Sequence, residues 1–588
     1  MIQTSQAYRE SVYAPIRQTT ARVTFDISDV TAASDNAVTV TSEAEISRKD
    51  QLTDQMWLRP AYATFEPDYW RLDGSIAIPP KASEPGYETG WYSGGMSGEA
   101  GLFTPNQVMD FSFSEDHSSM GITISFDLPT NEWAEEFDID VYDRTGVVIR
   151  HVEARGNEQA RYVVEDQFAN YRRIRITLRK WCKPNRRAKV IEVSFGVIRV
   201  YKDDKLVKAN MVEELNALAD VVPANEIKFT VDNSSKEFNI LNPKGFYAFL
   251  QEQQVVAAEI GVYTADNVVE WINMGIYYLT DWQSDEGALT TTFTARNVFN
   301  LLDKGDYMSS GVTWTLYGLA ENVLQRAGIE KYSIDNRLRN IPTSGFPGKV
   351  SYRKALQLIG IAAKAVVYQD RTGVINIKVL EQVSPIDNVT SDNMYKDPQI
   401  KLDKLVSSVD ITTSVYSAGN EQEVLSTSMT IIGTYDIFVD YTSSIFGDPD
   451  IVVSENAQFV LLESYPAGAK LRLTANGTVT IRITGTLLVT AKTTYNLRDE
   501  LLDGGTIKVD NPLINNPEQA HSVGLWLLNE YKMRALYTVN WRQNPALECG
   551  DIIQIEDSFK GQKQSRISKQ EFEYVGYLQG KTEAKGGH

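Results

Sequence analysis

Cysteine is almost absent from this chain of 588 residues: Cys182 and Cys549 stand far apart. A disulfide framework is therefore excluded as the source of stability, and assembly in a reducing cytoplasm is expected. Histidine is nearly as scarce, and His117, His151, His521 and His588 share no ligand spacing with one another or with the cysteines. That leaves no zinc site to be built and no metal or cofactor expected. Residues 1–26 carry no apolar leader core, and no apolar run approaches the ~20 residues that a membrane crossing needs, so neither a signal peptide nor membrane insertion is expected. Positive charge is in deficit, with 58 Lys and Arg against 77 Asp and Glu and a net charge of −19. Specific nucleic-acid binding is excluded on that ground, because phosphate recognition needs clustered cations. The motifs of common enzyme chemistry are missing as well: there is no Gly-x-Ser-x-Gly elbow, no Gly-Lys-Ser phosphate loop and no His-Glu-x-x-His. Neighbouring acids such as Glu135 and Glu136, or Asp138 and Asp140, read as solvated loop and strand edges and not as a glycosidase pair. No catalytic residue is assigned.

What the chain has instead is strand alternation. Residues 21–47 read as β, with Ala21-Arg-Val-Thr-Phe-Asp-Ile alternating cleanly, but they are too few to close a core. A Pro, Gly and aromatic stretch from Trp57 through Tyr69 and Trp70 to Pro79-Pro80 marks a domain junction. From 90 to 201 the chain is a series of short strands, among them Met109-Asp-Phe-Ser-Phe, Phe137-Asp-Ile-Asp-Val-Tyr and Val190-Ile-Glu-Val-Ser-Phe, which predicts an antiparallel sandwich. Its one basic run, Arg172, Arg173, Arg175, Arg179, Lys180, Lys183, Arg186, Arg187 and Lys189, interleaves with Ile174, Ile176, Leu178 and Trp181, placing the charges on a wet face. After a helical or linker stretch at 211–219, β character returns around Ile227-Lys-Phe-Thr-Val and Trp271-Ile-Asn-Met-Gly-Ile-Tyr-Tyr. These later strands supply partners for 21–47, so the sandwich reads as an insertion into one β-barrel domain.

Residues 300–385 change class. Leu316, Leu319, Ala320, Val323 and Leu324 share one helical face, and Gly328 stands where a C-cap belongs. A second helix is predicted over 352–367, and a strand pair turns at Asp370-Arg-Thr-Gly373. Residues 395–580 are mostly β again. Asn476-Gly477, between Leu471-Arg-Leu-Thr and Thr478-Val-Thr-Ile, predicts a type I′ hairpin. One long helix interrupts, with Asn516 as N-cap and Pro517 in its first position.

Two sets of phrases carry a family resemblance. Asn540-Trp-Arg-Gln-Asn-Pro-Ala-Leu-Glu-Cys-Gly-Asp and the run from Ile567 to Gly586, together with Phe229-Thr-Val-Asp-Asn and Gly275-Ile-Tyr-Tyr-Leu-Thr-Asp-Trp, resemble baseplate hub and tail proteins of phages, prophages and tail-like bacteriocins of Gram-positive hosts. The order of strands over 121–196 is similar to galactose-binding-like, discoidin-like jelly rolls. The resemblance implies a mainly β multidomain chain: a split β-barrel over 1–57 and 203–303, an inserted jelly-roll β-sandwich over 58–202, an α+β module over 304–390, and a second β-barrel with a C-terminal helix over 391–588. It further implies a homotrimer in the virion tail, meeting the tail tube or distal tail protein, the tape measure protein and a spike or fibre protein. Unlike many members, this chain shows no added lysozyme, peptidase or fibre region, so a cell-wall hydrolase is the weaker reading. The alternative is an adsorption protein that recognises host surface glycans through the sandwich. For that, aromatic faces with amide partners are needed, and the candidates are Trp133, Trp91, Tyr92 and Asn131.

Overall fold

The computed structural model describes residues 1–56, 59–70, 76–79, 88–242, 245–265, 268–283, 287–310, 313–381 and 384–587. Trp57, Pro80 and the expected 57/58 domain boundary lie outside them. Strand makes up 53% of the chain and helix 12%, so the mostly β, multi-sheet reading stands.

The large sheet is organised around Thr19–Ser28, whose Val23, Phe25 and Ile27 alternate inward and are at most 1% exposed. One edge of this strand pairs with Val255–Ala265 and the other with Gly196–Lys202. The sheet continues through Val268–Gln283, Thr290–Arg296, Glu226–Asp232 and Leu206–Glu214. Residues 211–214, read above as helix or linker, are thus the end of a strand. Leu206–Glu214 then pairs with Gln562–Tyr574, which brings in Leu578–Gly586, Ala535–Trp541 and Gln399–Leu402 on one path and Ile552–Glu556 with Asp387–Val389 on a branch. The result is one open sheet of 13 strands.

The two closed barrels expected from the sequence are not formed, and no sheet closes among the described residues. Edge occupancy is the reason. Closure of the first set needs Thr19–Ser28 and Leu206–Glu214 to pair with each other, but their outer edges are taken by Gly196–Lys202 and Gln562–Tyr574.

Asn36–Val40, Leu102–Ser119, Phe168–Trp181, Ala134–Tyr142 and Val148–Arg155 form a second, five-stranded sheet. Smaller sheets built on Ile122–Ser125 and Trp91–Met96 close over it and share its core. Phe126 sits edge-on to Phe137 at 5.5 Å and to Trp181 at 5.8 Å within that core. Asn36–Val40 was grouped by sequence with the first barrel. It pairs instead with Leu102–Ser119, Val38 opposite Phe111, because its Val38 and Val40 complete the sandwich core.

Helix Leu316–Arg326 is capped by Thr315, whose hydroxyl accepts from the Gly318 N–H, and ends where Gly328 takes a φ of +74°. Tyr352–Ala363 is capped by Ser351 in the same way. Pro517–Tyr531, capped by Asn516 (2.8 Å), buries Ala520, Val523 and Leu527 in the same core as these two helices. It therefore belongs to the α+β module by packing, although sequence placed it with the second barrel.

Between module and C-terminal strands lie the two longest strands, Val406–Asp440 and Gly468–Arg498, paired from Ser408↔Arg498 to Asp440↔Gly468. The predicted Asn476-Gly477 hairpin is not a turn: the strand runs through it, facing Ile432 and Ile431. Long-range pairing outweighs the local turn preference, and Gly477, at φ +138°, serves as a bend within the ladder.

Candidate assembly surface

Backbone N–H and C=O groups must find partners, and strand edges show where a chain leaves them for another chain to meet. The two ends of the large sheet differ in this respect. Beside Gly196–Lys202 lies Thr123 of the sandwich, whose hydroxyl accepts from the Ile198 N–H at 3.1 Å and donates to the Gly196 carbonyl at 3.0 Å. At the opposite end Gln399–Leu402 is exposed at every position and presents Ile400 at 52% and Leu402 at 44%.

A longer open edge runs along Val406–Asp440. Its outer side pairs with Gly505–Asp510 only as far as Thr412, and the Ser414 N–H reaches the Ile514 carbonyl at 2.9 Å. Over 415–440 no further strand pairs with it among the described residues; the Val424 carbonyl alone accepts from Thr442. Around 415–417 and 489–491 the ribbon is two strands wide among the described residues, and Val415 (51%) and Val489 (47%) stand in solvent; a third segment joins next to it, the Leu488 N–H donating to the Ser444 carbonyl at 2.9 Å and the Phe446 N–H to the Thr486 carbonyl at 2.7 Å. Further along, Ile432, Tyr435, Phe438 and Val460 are exposed at 69, 56, 41 and 57%. An isolated two-stranded ribbon is marginal in water. This one is held at its base by the helix Pro517–Tyr531 and near its far end by Ser444, which donates to the Pro347 carbonyl at 2.7 Å.

Arg371, on the turn predicted at 370–373, is buried and donates to the carbonyls of Pro545 (2.5 Å) and Leu547 (2.7 Å) and to Glu213 (2.6 Å), while Asn273 donates to its own carbonyl at 2.5 Å. One side chain thus ties the module to both halves of the large sheet. Where sandwich meets module, Lys331 reaches Glu88 at 2.6 Å and Asp54 at 3.3 Å. Burial, with Asp54 beside it, pushes the Glu88 carboxyl up to about 8, Lys331 opposing. Glu192, wholly buried nearby, is also pushed up by burial and by the same acids.

The sugar-site candidates are not assembled into one face. Trp91 is 0% exposed with its indole N–H on the Ser42 carbonyl at 3.0 Å, and Tyr92 is 2% exposed. The Trp91 ring belongs to the sandwich core, and the buried Tyr92 ring lies 6.0 Å from the Lys189 ammonium. Asn131 is exposed on a turn at φ +55°. Trp133 is half-buried, its backbone locked to Cys182 by two hydrogen bonds (3.3 and 3.0 Å). The basic run divides as well. Arg173 and Arg175 meet Asp110 on the wet face, whereas Arg186 and Lys189 are 5% and 0% exposed, paired with Glu132 (3.2 Å) and Glu66 (3.0 Å). This interior ion network went unread because alternation marks two faces without saying that both are covered. Asp138, His151 and Glu153 come within 4.8 Å of one another, but Asp138 already holds Arg155 and Arg179, and no metal is assigned to them. No helix among the described residues is long and apolar enough to cross a membrane.

No family model matches the chain, and no curated protein does. Solved structures similar to it include a tail protein from Neisseria meningitidis MC58, at 9% identity over 66% of this chain and 93% of that one, with a TM-score of 0.40. The prophage MuSo2 43 kDa tail protein from Shewanella oneidensis is 11% identical over 66% and 95%, with a TM-score of 0.36. The prophage tail protein gp18 from Listeria monocytogenes EGD-e is 10% identical over 66% and 91%, with a TM-score of 0.34.

Proposed function

We propose that this chain is a structural, non-enzymatic component of a phage or phage-like tail: a baseplate hub that assembles as a homotrimer and links the tail tube to spike or fibre components. The observation that carries this reading is the open edge over 415–440 together with the bare strand Gln399–Leu402. A chain that caps one sheet edge with Thr123 and leaves these two uncapped is built to be completed by other chains. In the assembled hub, tube-like closure of the barrels takes place between chains, and the tape measure protein meets the same trimer. The sandwich is the inserted unit and faces outward, with Asn131 and Trp133 as the residues retained for a glycan site because they keep exposed surface. Sedimentation velocity of the full chain across a hundredfold concentration range tests the reading. A trimer is expected, and a species that stays monomeric throughout contradicts it. Incubation with peptidoglycan is expected to release neither sugar nor peptide.

A further inference from the structure

The bare strand Gln399–Leu402 and the open edge of the ribbon are unlike surfaces. Gln399–Leu402 pairs on one side with Ala535–Trp541 and has no strand on the other among the described residues. All four of its side chains are exposed, with Ile400 and Leu402 on one face and Gln399 and Lys401 on the other. Lys401 and the exposed Lys404 that follows have no acid within ion-pair reach among the described residues, since Asp403 between them is held by Lys585 at 2.7 Å. The ribbon edge has the opposite charge. From 415 to 440 it carries Glu421, Glu423, Asp436 and Asp440 and no lysine or arginine. Arg482 engages Glu423 at 2.9 Å, Arg472 engages Asp436 at 2.7 Å, and Lys349 engages Asp440. Glu421 is exposed and has no such cation among the described residues. It lies in 415–423, short of the register shift where the Val424 carbonyl is taken by Thr442.

Symmetry limits how such edges can be used. A contact between two copies of one edge is isologous and closes at a dimer, whereas a ring of three needs each chain to offer unlike surfaces to its two neighbours. Like edges also match badly here. The ribbon edge against itself brings acids together with no lysine or arginine on either side, and Gln399–Leu402 against itself opposes lysine to lysine. The cross pairing instead sets Lys401 and Lys404 beside Glu421 and gives the exposed Ile400 and Leu402 a neighbour. An edge lysine discourages indiscriminate pairing, and an acid on the intended partner turns that into selection. We infer that Gln399–Leu402 of one copy adds as a strand to the outer edge 415–423 of the next, head to tail, and that three such junctions close the ring. This rests on the trimer reading above and names the two surfaces that build it.

Zero-length carbodiimide crosslinking of the full chain, in an equal mixture of isotopically light and heavy copies, tests this. The expected product is an isopeptide bond from Lys401 or Lys404 to Glu421 that joins a light peptide to a heavy one. Sedimentation velocity of charge variants gives a second readout. Lys401→Glu with Lys404→Glu is expected to weaken assembly about tenfold, and Glu421→Lys to weaken it by a similar factor. The three changes together are expected to restore it, because each lysine and its acid have then exchanged places. All three positions are exposed, so the variants keep the fold. A trimer that lacks these bonds between copies overturns the inference and leaves the hub reading standing. So does a trimer indifferent to Glu421→Lys, or a triple variant that assembles no better than the single one. A wild-type chain that stays monomeric at every concentration overturns both.

Discussion

At one end of the large sheet, strand Gly196–Lys202 meets a threonine hydroxyl placed to accept from its N–H and donate to its carbonyl; at the other, Gln399–Leu402 has no strand on its outer side among the described residues and shows two aliphatic side chains to solvent. The same contrast separates the sandwich, where even Lys189 and Arg186 are paired in the interior, from the ribbon, whose outer edge stays open over 415–440. The chain has the means to finish an edge and applies them selectively. Exposed edges invite pairing with other chains, which monomeric proteins suppress with charge, proline or cover. Aliphatic residues left there support the proposed assembly with other chains.

Three substitutions probe the finished side of this contrast. Arg371→Met leaves the half-buried Glu213 carboxylate without its cation and strips the Pro545 and Leu547 carbonyls of a donor. It is expected to cost about 3–5 kcal/mol, read by denaturant unfolding, and Arg371→Met combined with Glu213→Gln is expected to cost less than the sum of the two. A result near zero for Arg371→Met would mean that the module is not anchored through this turn. Thr123→Val removes the edge cap while keeping its shape, and a loss of about 1–3 kcal/mol is expected from the unpaired Ile198 N–H and Gly196 carbonyl. The same variant sharpens the comparison, because a newly open edge is expected to raise non-specific association in light scattering.

The smallest effect concerns the seam between sandwich and module. Because Glu88 titrates higher in the folded chain than in the unfolded one, its proton stabilises the fold. That contribution is present below the ordinary carboxylate range and is lost as pH rises through about 8. Lys331, Asp54 and Glu192 face it. Thermal melting of wild type and Glu88→Gln at pH 6 and pH 9 is expected to show the wild type losing more on the way up, by about 1 kcal/mol; parallel losses would remove Glu88 as the titrating group.

What the sequence made legible was local. Gly328 after Leu316–Arg326 and Asn516 before Pro517–Tyr531 act on their own helices, so reading them needed no partner. The alternation of Val23, Phe25 and Ile27 likewise declared a strand. Partner choice was not legible. Asn476-Gly477 carries the turn preference of a hairpin, yet thirty residues of ladder on either strand decide its fate. Asn36–Val40 alternates equally well for either sheet, and only the fit of Val38 and Val40 under Phe111 assigns it to the sandwich. Trp91 and Tyr92 looked like ligand faces because an aromatic in a strand has no mark that separates core from groove.

The central claim is that residues 399–402 and 415–440 are completed by other chains, and hydrogen–deuterium exchange of the full chain at low and high concentration tests it most directly. The account predicts fast exchange of these backbone amides in dilute solution and strong protection at high concentration, with the amides of Gly196–Lys202 slow in both. Equal exchange over 415–440 at the two concentrations, in a sample that remains monomeric, would contradict it.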